Sequence, residues 1–448
     1  MKFKVSNLGK INLAEVTLSP LTILVGKNNT GKSYLASLIW ALGNIDSPYF
    51  WPDWPEWPIG EDTVPNWLAE FCDLDGTLIG RSLLIDNDKA ADILAFIRDT
   101  IDRNLPAYLS EIFAFPGFSE TKLSIEDADF QPFTISIGPD ISGDSEVSDK
   151  DEMILWVDFG DGDPKMRLFF AKDAAGQQFN QFRIVTETCG HVLFGPDWEK
   201  YSRQAYIPAA RTGLMLALPA LQQQAFSHHT EQAQTPFPAT LRSFVRLMLR
   251  ARPNFENSPN IAEWLSERIL TGTIASKSGR TGDYRYIPSG LPLELPFHAT
   301  SSMITELAPL LIALERSFSS RHIVFEEPEA HLHLEAQREM ARFIARLVGS
   351  GWLVTLTTHS DTFVQEINNL MKLHQLSNKE ELMPALGYDE ADLINPMVAR
   401  AYEFRASKTG TEVVELERTQ DGFVVPSLNE TLMALATETL QLRDADDN

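Results

Sequence analysis

The chain has 448 residues, 44% hydrophobic and 22% charged, a balance that predicts two or three compact lobes and excludes a disordered polymer. With 38 basic against 62 acidic residues the net charge is −24, which argues against a protein that coats nucleic acid with its whole surface. Two cysteines, Cys72 and Cys189, exclude a disulfide framework and paired zinc ligation. No apolar signal segment follows Met1 and no stretch of about 20 apolar residues runs unbroken, so a cytoplasmic protein without a membrane span is expected.

The first forty residues read as three strands and a helix. Phe3–Val5 and Ala14–Leu18 are short extended runs around a polar turn at Ser6–Lys10, and Leu21–Val25 has the continuous apolar character of a strand buried on both faces. Gly26-Lys27-Asn28-Asn29-Thr30-Gly31-Lys32-Ser33 follows, a full match to G-x-x-x-x-G-K-[ST], and then an apolar helix through Leu35, Leu38, Ile39 and Leu42. The spacing has a chemical reason. Two glycines let the backbone wrap closely, so that successive N–H groups and the helix N-terminus face phosphate oxygens. Lys32 is placed for the β- and γ-phosphates of ATP, and the Ser33 hydroxyl for Mg²⁺.

Residues 45–200 hold most of the acid: between 45 and 170 there are 27 acidic and 8 basic residues, a net −19. Trp51-Pro52-Asp53-Trp54-Pro55-Glu56-Trp57-Pro58 has a proline at every third position, which favours an extended path with the tryptophans along one side. It reads as a rigid loop packed on its own domain or as a docking surface. A helix over Ala91–Phe113 with a break near Pro106 is expected. Strands are expected at Phe133–Ile137, Met153–Val157, Met166–Phe170 and Phe182–Val185, together an antiparallel β subdomain. Arg242, Arg246 and Arg250 lie at i, i+4 and i+8, a basic stripe suited to a solvated helix face, an acidic partner or a nucleic-acid backbone. Arg338, Arg342 and Arg346 repeat the spacing, with Glu335 and Glu339 as partners along the same helix.

Arg321-His322-Ile323-Val324-Phe325 is a strand running into Glu326-Glu327-Pro328-Glu329-Ala330-His331-Leu332-His333. Adjacent residues at a strand end point to different sides, so the two carboxylates divide the work. Glu326 is assigned to the Mg²⁺ shell and Glu327 to the general base that takes a proton from the attacking water. An exposed acidic turn accounts for Glu329. Trp352–Thr357 is another buried-type strand, ending in Thr358-His359-Ser360-Asp361. Parallel strands deliver their C-terminal ends to one crevice, which gives His359 a place beside the γ-phosphate or the attacking water.

Taken in order, the first strand pair, the Gly26–Ser33 loop, Glu326–His333 and Thr358-His359-Ser360 resemble the OLD-like, SMC-related ABC ATPases. That group includes RecF-type repair proteins and the ATPase subunits of bacterial anti-phage systems. The resemblance covers roughly residues 1–44 and 200–365. It implies an α/β, ABC-type P-loop NTPase fold: a mixed β-sheet with flanking helices, an antiparallel β subdomain and an α/β insertion. The expected organisation is residues 1–44 as the N-terminal part of the head, 45–200 as the acidic insertion, 201–370 as the rest of the head and 371–448 as its completion. The resemblance also implies that two heads sandwich two nucleotides, each site completed by a signature loop of the other head. The matching stretch is His298-Ala299-Thr300-Ser301-Ser302-Met303-Ile304-Thr305-Glu306-Leu307, with Ser301 and Ser302 offering hydroxyls and Met303 standing where the family has glycine. Tyr206-Ile207-Pro208-Ala209-Ala210-Arg211-Thr212-Gly213 is similar to the Pro-Ala-x-Arg stretch of this branch, with Arg211 bracing the lobe or touching nucleotide. Full-length OLD proteins add a Toprim nuclease, for which the tail after Asp361 is too short. That tail is expected to hold a helix, a hairpin at Thr419–Gly422 and a last helix near Asn429–Leu442.

These readings predict an ATPase that binds MgATP, forms homo-oligomers through its heads and controls a separate protein effector, a Toprim nuclease or similar toxin, as in PARIS-type defence. The alternative is a RecF-like repair ATPase acting directly on DNA, supported by the arginine stripe and opposed by the overall acidity.

Overall fold

The structure is a computed structural model. It describes residues 1–44, 64–72, 81–126, 130–139, 153–160, 165–169, 174–201, 204–227, 237–250, 259–276, 283–315 and 321–446, so the Trp-Pro segment lies outside the described residues. In chain order, β1 (Lys2–Leu8), β2 (Ile11–Thr17) and β3 (Leu21–Gly26) precede α1 (Lys32–Leu42). There follow α2 (Asn66–Cys72), β4 (Arg81–Ile85), α3 (Asn87–Phe113), β5 (Lys122–Glu126), β6 (Phe133–Pro139), β7 (Met153–Asp158), β8 (Lys165–Phe169), α4 (Ala174–Phe194) and α5 (Trp198–Tyr201). The middle of the chain gives β9 (Ala205–Ile207), α6 (Arg211–Ser227), α7 (Ala239–Arg250), α8 (Pro259–Leu265), β10 (Gly272–Ser276), β11 (Tyr284–Pro288), β12 (Leu295–Pro296) and α9 (Ser302–Glu315). The last part holds β13 (His322–Glu326), α10 (Leu334–Gly349), β14 (Leu353–Thr358), α11 (Asp361–Gln375), α12 (Lys379–Leu386), β15 (Ala399–Ser407), β16 (Gly410–Glu415), the small hairpin β17 (Arg418–Thr419) and β18 (Gly422–Phe423), and α13 (Pro426–Asp446).

One nine-stranded sheet carries the molecule, in the order β5-β1-β2-β16-β15-β3-β14-β13-β9. The pairs β15–β3, β3–β14, β14–β13 and β13–β9 are parallel, whereas β5–β1, β1–β2 and β15–β16 are antiparallel. Parallel strands are buried on both faces, and β3 obeys this: Leu24 packs into one core, Leu21, Ile23 and Val25 into the other. Strand β5 joins the sheet beside β1, so the chain between 45 and 200 adds one strand to it. Strands β4, β6, β7 and β8 form a separate four-stranded antiparallel sheet, as expected of a β subdomain. Among the described residues, no helix is long and apolar enough to cross a membrane.

Several local expectations are corrected. The turn expected at Ser6–Lys10 is shorter, because β1 continues to Leu8 and only Gly9 and Lys10 make the connection. The break expected at Pro106 is absent: α3 runs unbroken from Asn87 to Phe113. Proline removes one helical donor, but Asp102, whose carbonyl loses it, is exposed to solvent, and the Ser110 hydroxyl donates to the Pro106 carbonyl at 2.7 Å. Buried Ile97, Ile101, Leu105, Tyr108, Leu109 and Ile112 continue one apolar stripe across the proline, and their packing outweighs its cost. Phe182–Val185 is not a strand; it lies inside α4. Ile184, Val185, Thr188, Cys189 and Val192 are buried at helical spacing, and α4 packs on α3. Both cysteines are buried thiols outside any disulfide; burial pushes the Cys72 thiol up to about 12 and raises Cys189 as well, so neither is a ready nucleophile.

The arginines of α10 also find partners beyond their own helix. Arg342 pairs with Glu339 at 2.8 Å, as expected, but Arg342 and Arg346 both clamp the fully buried Asp392 at 2.7 and 2.8 Å. Arg338 pairs with the buried Glu366. These pairs fasten α10 to α11 and to the segment after α12.

Candidate functional site

The loop between β3 and α1 is held by its own geometry. Gly26 has φ +153°, and a Cβ there would lie 2.8 Å from the Phe404 carbonyl of neighbouring β15. Gly31 has φ +99°, and its Cβ would meet Ile11 at 2.9 Å. Both positions therefore require glycine for conformation and for space. Thr30 Oγ1 donates to the Lys27 carbonyl at 2.8 Å, closing the loop on itself. The Lys32 ammonium is buried and donates to the Gly26 and Lys27 carbonyls at 2.7 and 2.8 Å. Burial lowers its pKa, opposed by the carboxylates of Glu327, Glu329 and Glu326.

An open cleft of about 410 Å³ lies over this loop, lined by Gly9, Lys10, Asn28, Asn29, Thr30, Gly31, Lys32, Ser33, Tyr34 and Glu327. Of the eight predicted loop residues, six face it. Gly26 and Lys27 serve instead through the carbonyls they present to Lys32. The sheet brings Glu327 to the cleft from a position some 300 residues away, because β13 lies two strands from β3.

Glu326 and Glu327 do part company, as strand alternation predicts. Glu326 is buried, and its Oε2 accepts the Ala209 N–H at 3.1 Å. Its Oε1 is buried without a hydrogen-bond partner among the described residues, although the Tyr206 phenol lies close enough for the carboxylate to help raise that phenol's pKa. Glu327 turns out of the strand at φ +44° and donates its N–H to the Thr357 carbonyl of β14 at 3.0 Å. Its carboxylate stands 3.5 Å from His359 Nδ1. That imidazole holds Glu327 below the usual carboxylate range, and Glu327 in turn raises His359.

The exposed turn expected at Glu329 is corrected. Glu329 is only 3% exposed. Its Oε1 accepts the Thr358 hydroxyl at 2.6 Å and the His359 N–H at 3.0 Å, and stands 3.7 Å from His359 Nδ1. It anchors the histidine that faces Glu327. The sequence signal for this role was present in the three acids of Glu-Glu-Pro-Glu, but only the fold shows which of them turns inward.

Arg211 braces the lobe, one of the two roles expected of it. It is fully buried, its Nη1 and Nη2 donate to the Glu326 and Glu327 carbonyls at 2.8 and 2.9 Å, and its Nε lies 2.7 Å from Glu306 Oε2. Glu306 belongs to α9 and also accepts the Thr212 hydroxyl at 2.6 Å. Ser301 and Ser302 sit exposed at the start of α9, and neither lines the cleft among the described residues. On the arginine stripe, Arg242 is engaged with Glu111 and with the Phe237 carbonyl, and the Arg250 side chain lies outside the described residues.

A comparison with known families agrees with an ATPase. Residues 268–364 match the family model described as an AAA ATPase domain, a span that holds α9, Glu326, Glu327, Glu329 and His359. No curated protein matches the chain. Among solved structures, an SMC head bound to the C-terminal winged-helix domain of ScpA is 12% identical, covering 93% of this chain and 97% of that one, with a TM-score of 0.36. The SMC head domain from Thermotoga maritima is 8% identical over 93% and 98%, with a TM-score of 0.32. The Pyrococcus furiosus SMC head with an extended coiled coil, bound to the C-terminal domain of ScpA, is 11% identical over 98% of each chain, with a TM-score of 0.34. The chain is an ATP-hydrolysing enzyme with a mixed α/β fold that carries a P-loop between β3 and α1.

Proposed function

We propose that the cleft binds MgATP and hydrolyses it slowly, and that nucleotide-bound heads associate to control a separate effector, a Toprim nuclease or similar toxin, in bacterial anti-phage defence. One observation carries the hydrolytic part: Glu327 lines the same cleft as Lys32 and Ser33. The N–H groups of Asn28–Ser33 and the α1 N-terminus would cradle the phosphates, and Lys32 would exchange its two loop carbonyls for phosphate oxygens. Glu327, held ionised, would take the proton of the attacking water, with His359 fixing its carboxylate and contacting the γ-phosphate side.

A magnesium ion fits the donor set. Ser33 offers a hydroxyl in the cleft, and Glu326 offers a buried carboxylate at the end of β13, both hard donors suited to that cation. When bound, it would neutralise charge on the β- and γ-phosphates. Residues 1–44 and 201–370 would supply the head, 371–448 would complete it, and 45–200 would form the insertion. Ser301 and Ser302, exposed at the start of α9, would be offered to a second head. The defence role and the effector rest on the resemblance of the sequence motifs.

The test is the Glu327→Gln variant. Loss of a general base costs about 10²- to 10⁴-fold in turnover. ATP binding should persist, and sedimentation with ATP should show a longer-lived head dimer. Unchanged phosphate release would remove Glu327 from its role.

A further inference from the structure

We propose that Arg211 is a positioning residue for hydrolysis: it fixes the backbone that aims the Glu327 carboxylate, and Glu306 of α9 fixes Arg211 in turn. This rests on the reading of Glu327 as the general base. The conformation of Glu327 is the starting point. At φ +44° it lies in the left-handed region, which a residue other than glycine keeps only where its surroundings enforce it. The chain turns there out of β13, and the carboxylate at the turn faces the cleft and His359.

The turn is held on both sides. Before it, the Glu327 N–H donates to the Thr357 carbonyl at 3.0 Å and to the Thr357 hydroxyl oxygen at 3.1 Å. After it, the Glu327 carbonyl accepts Arg211 Nη2 at 2.9 Å and the Ala330 N–H at 3.0 Å. Arg211 Nη1 donates to the Glu326 carbonyl at 2.8 Å, so one guanidinium spans the two carbonyls that flank the Glu327 Cα. A planar fork suits this task because its donors keep fixed directions, whereas an ammonium is a single movable point charge. The fork is itself immobilised. Nη1 also donates to the Pro208 carbonyl at 3.1 Å, Nε donates to the Glu306 carbonyl at 3.0 Å, and the guanidinium carbon lies 5.0 Å from the centre of the Phe325 ring. Burial works against the Arg211 charge, and the carboxylates of Glu306, Glu329, Glu326 and Glu327 support it. A buried ion pair is a poor device for stability alone, since apolar side chains of similar volume often serve as well. No apolar side chain could orient two carbonyls. Because Glu306 belongs to α9, a displacement of that helix would pass through Arg211 to the base.

A double-mutant cycle between Arg211→Lys and Glu327→Gln tests this, with ATP hydrolysis by the full chain in Mg²⁺ as the readout. Arg211→Lys keeps the charge and loses the fork. It should lower kcat about 10- to 100-fold with KM for ATP unchanged, the scale on which misplacing a catalytic group is felt. In the Glu327→Gln background the same change should slow single-turnover hydrolysis no further, because residues that act as a unit are not additive. If Arg211→Lys does not fold, Glu306→Gln carries the same test, since it keeps the side chain's volume and an acceptor for the Thr212 hydroxyl. It should lower kcat in the same direction and again add nothing to Glu327→Gln. The proposal is overturned by a wild-type kcat in the folded variant, by a raised KM with kcat preserved, or by equal slowing in both backgrounds. Glu327→Gln that hydrolyses ATP at the wild-type rate would instead overturn the general-base reading, and this role with it.

Discussion

His359 is the residue whose surroundings say most about the chemistry. Its imidazole faces Glu327 at 3.5 Å and Glu329 at 3.7 Å, and Glu327 is the larger cause of its raised pKa. The Glu327 carboxyl is lowered by the same contact. A raised histidine contributes stability below its unfolded pKa and loses it as pH rises through the folded value; a lowered carboxylate contributes above its unfolded pKa and loses it as pH falls through the folded one. The mutual attraction is therefore fullest between pH 4.5 and 6.5, and is lost as pH rises through the raised histidine value. An NMR titration of His359 should give a pKa above 6.5, and Glu327→Gln should bring it down. A histidine that titrates identically in both proteins would separate the two side chains. Arg211 works differently: at 95 residues' separation from Glu306, it fastens α9 to the carbonyls of both glutamates from inside the core.

At the scale of elements, α4 shows how tertiary contact chooses between conformations. Gly190 lies on its buried side, where a Cβ would fall 2.2 Å from the Trp198 ring. Trp198 is itself stacked on Phe194 and donates to Glu187 at 2.9 Å, so it has little room to retreat. Helix propensity alone favours Gly190→Ala by roughly 0.5–1 kcal/mol. Overpacking a filled core costs about 1–3 kcal/mol, and this term should win. Urea denaturation of Gly190→Ala should show a net loss of about 1 kcal/mol; a gain would mean that Trp198 does not fill that space. The same reasoning covers the phosphate loop, where Gly26 and Gly31 press against Phe404 and Ile11, so the loop depends on β15 and β2 as well as on its own sequence.

For the molecule as a whole, the net charge of −24 governs association. Two such heads repel each other, and added salt screens that repulsion within a Debye length of about 10 Å at 0.1 M. Nucleotide-dependent self-association, followed by sedimentation, should therefore tighten as ionic strength rises from low to physiological values. A protein that holds nucleic acid by phosphate contacts does the opposite, losing affinity steeply with salt. DNA binding with a steep negative salt dependence would favour the RecF-like alternative. The engagement of Arg242 with Glu111 and the Phe237 carbonyl reduces what the arginine stripe can offer such a ligand.

The sequence by itself determined the glycine-rich loop, the strand before it, the divergence of the Glu326 and Glu327 side chains, and the mixed α/β class. It could do so because the loop's chemistry is contiguous: Lys32 reaches carbonyls only five and six residues away, and adjacent residues on a strand must diverge. Only the tertiary structure decided that Glu329 turns inward to His359, that Arg211 pairs with Glu306, that Glu326 is met by Ala209 from 117 residues away, and that Phe182–Val185 is helical. A short β-branched run has no periodicity of its own, and a carboxylate carries no local mark of burial. Both are settled by which surface the rest of the chain brings against them.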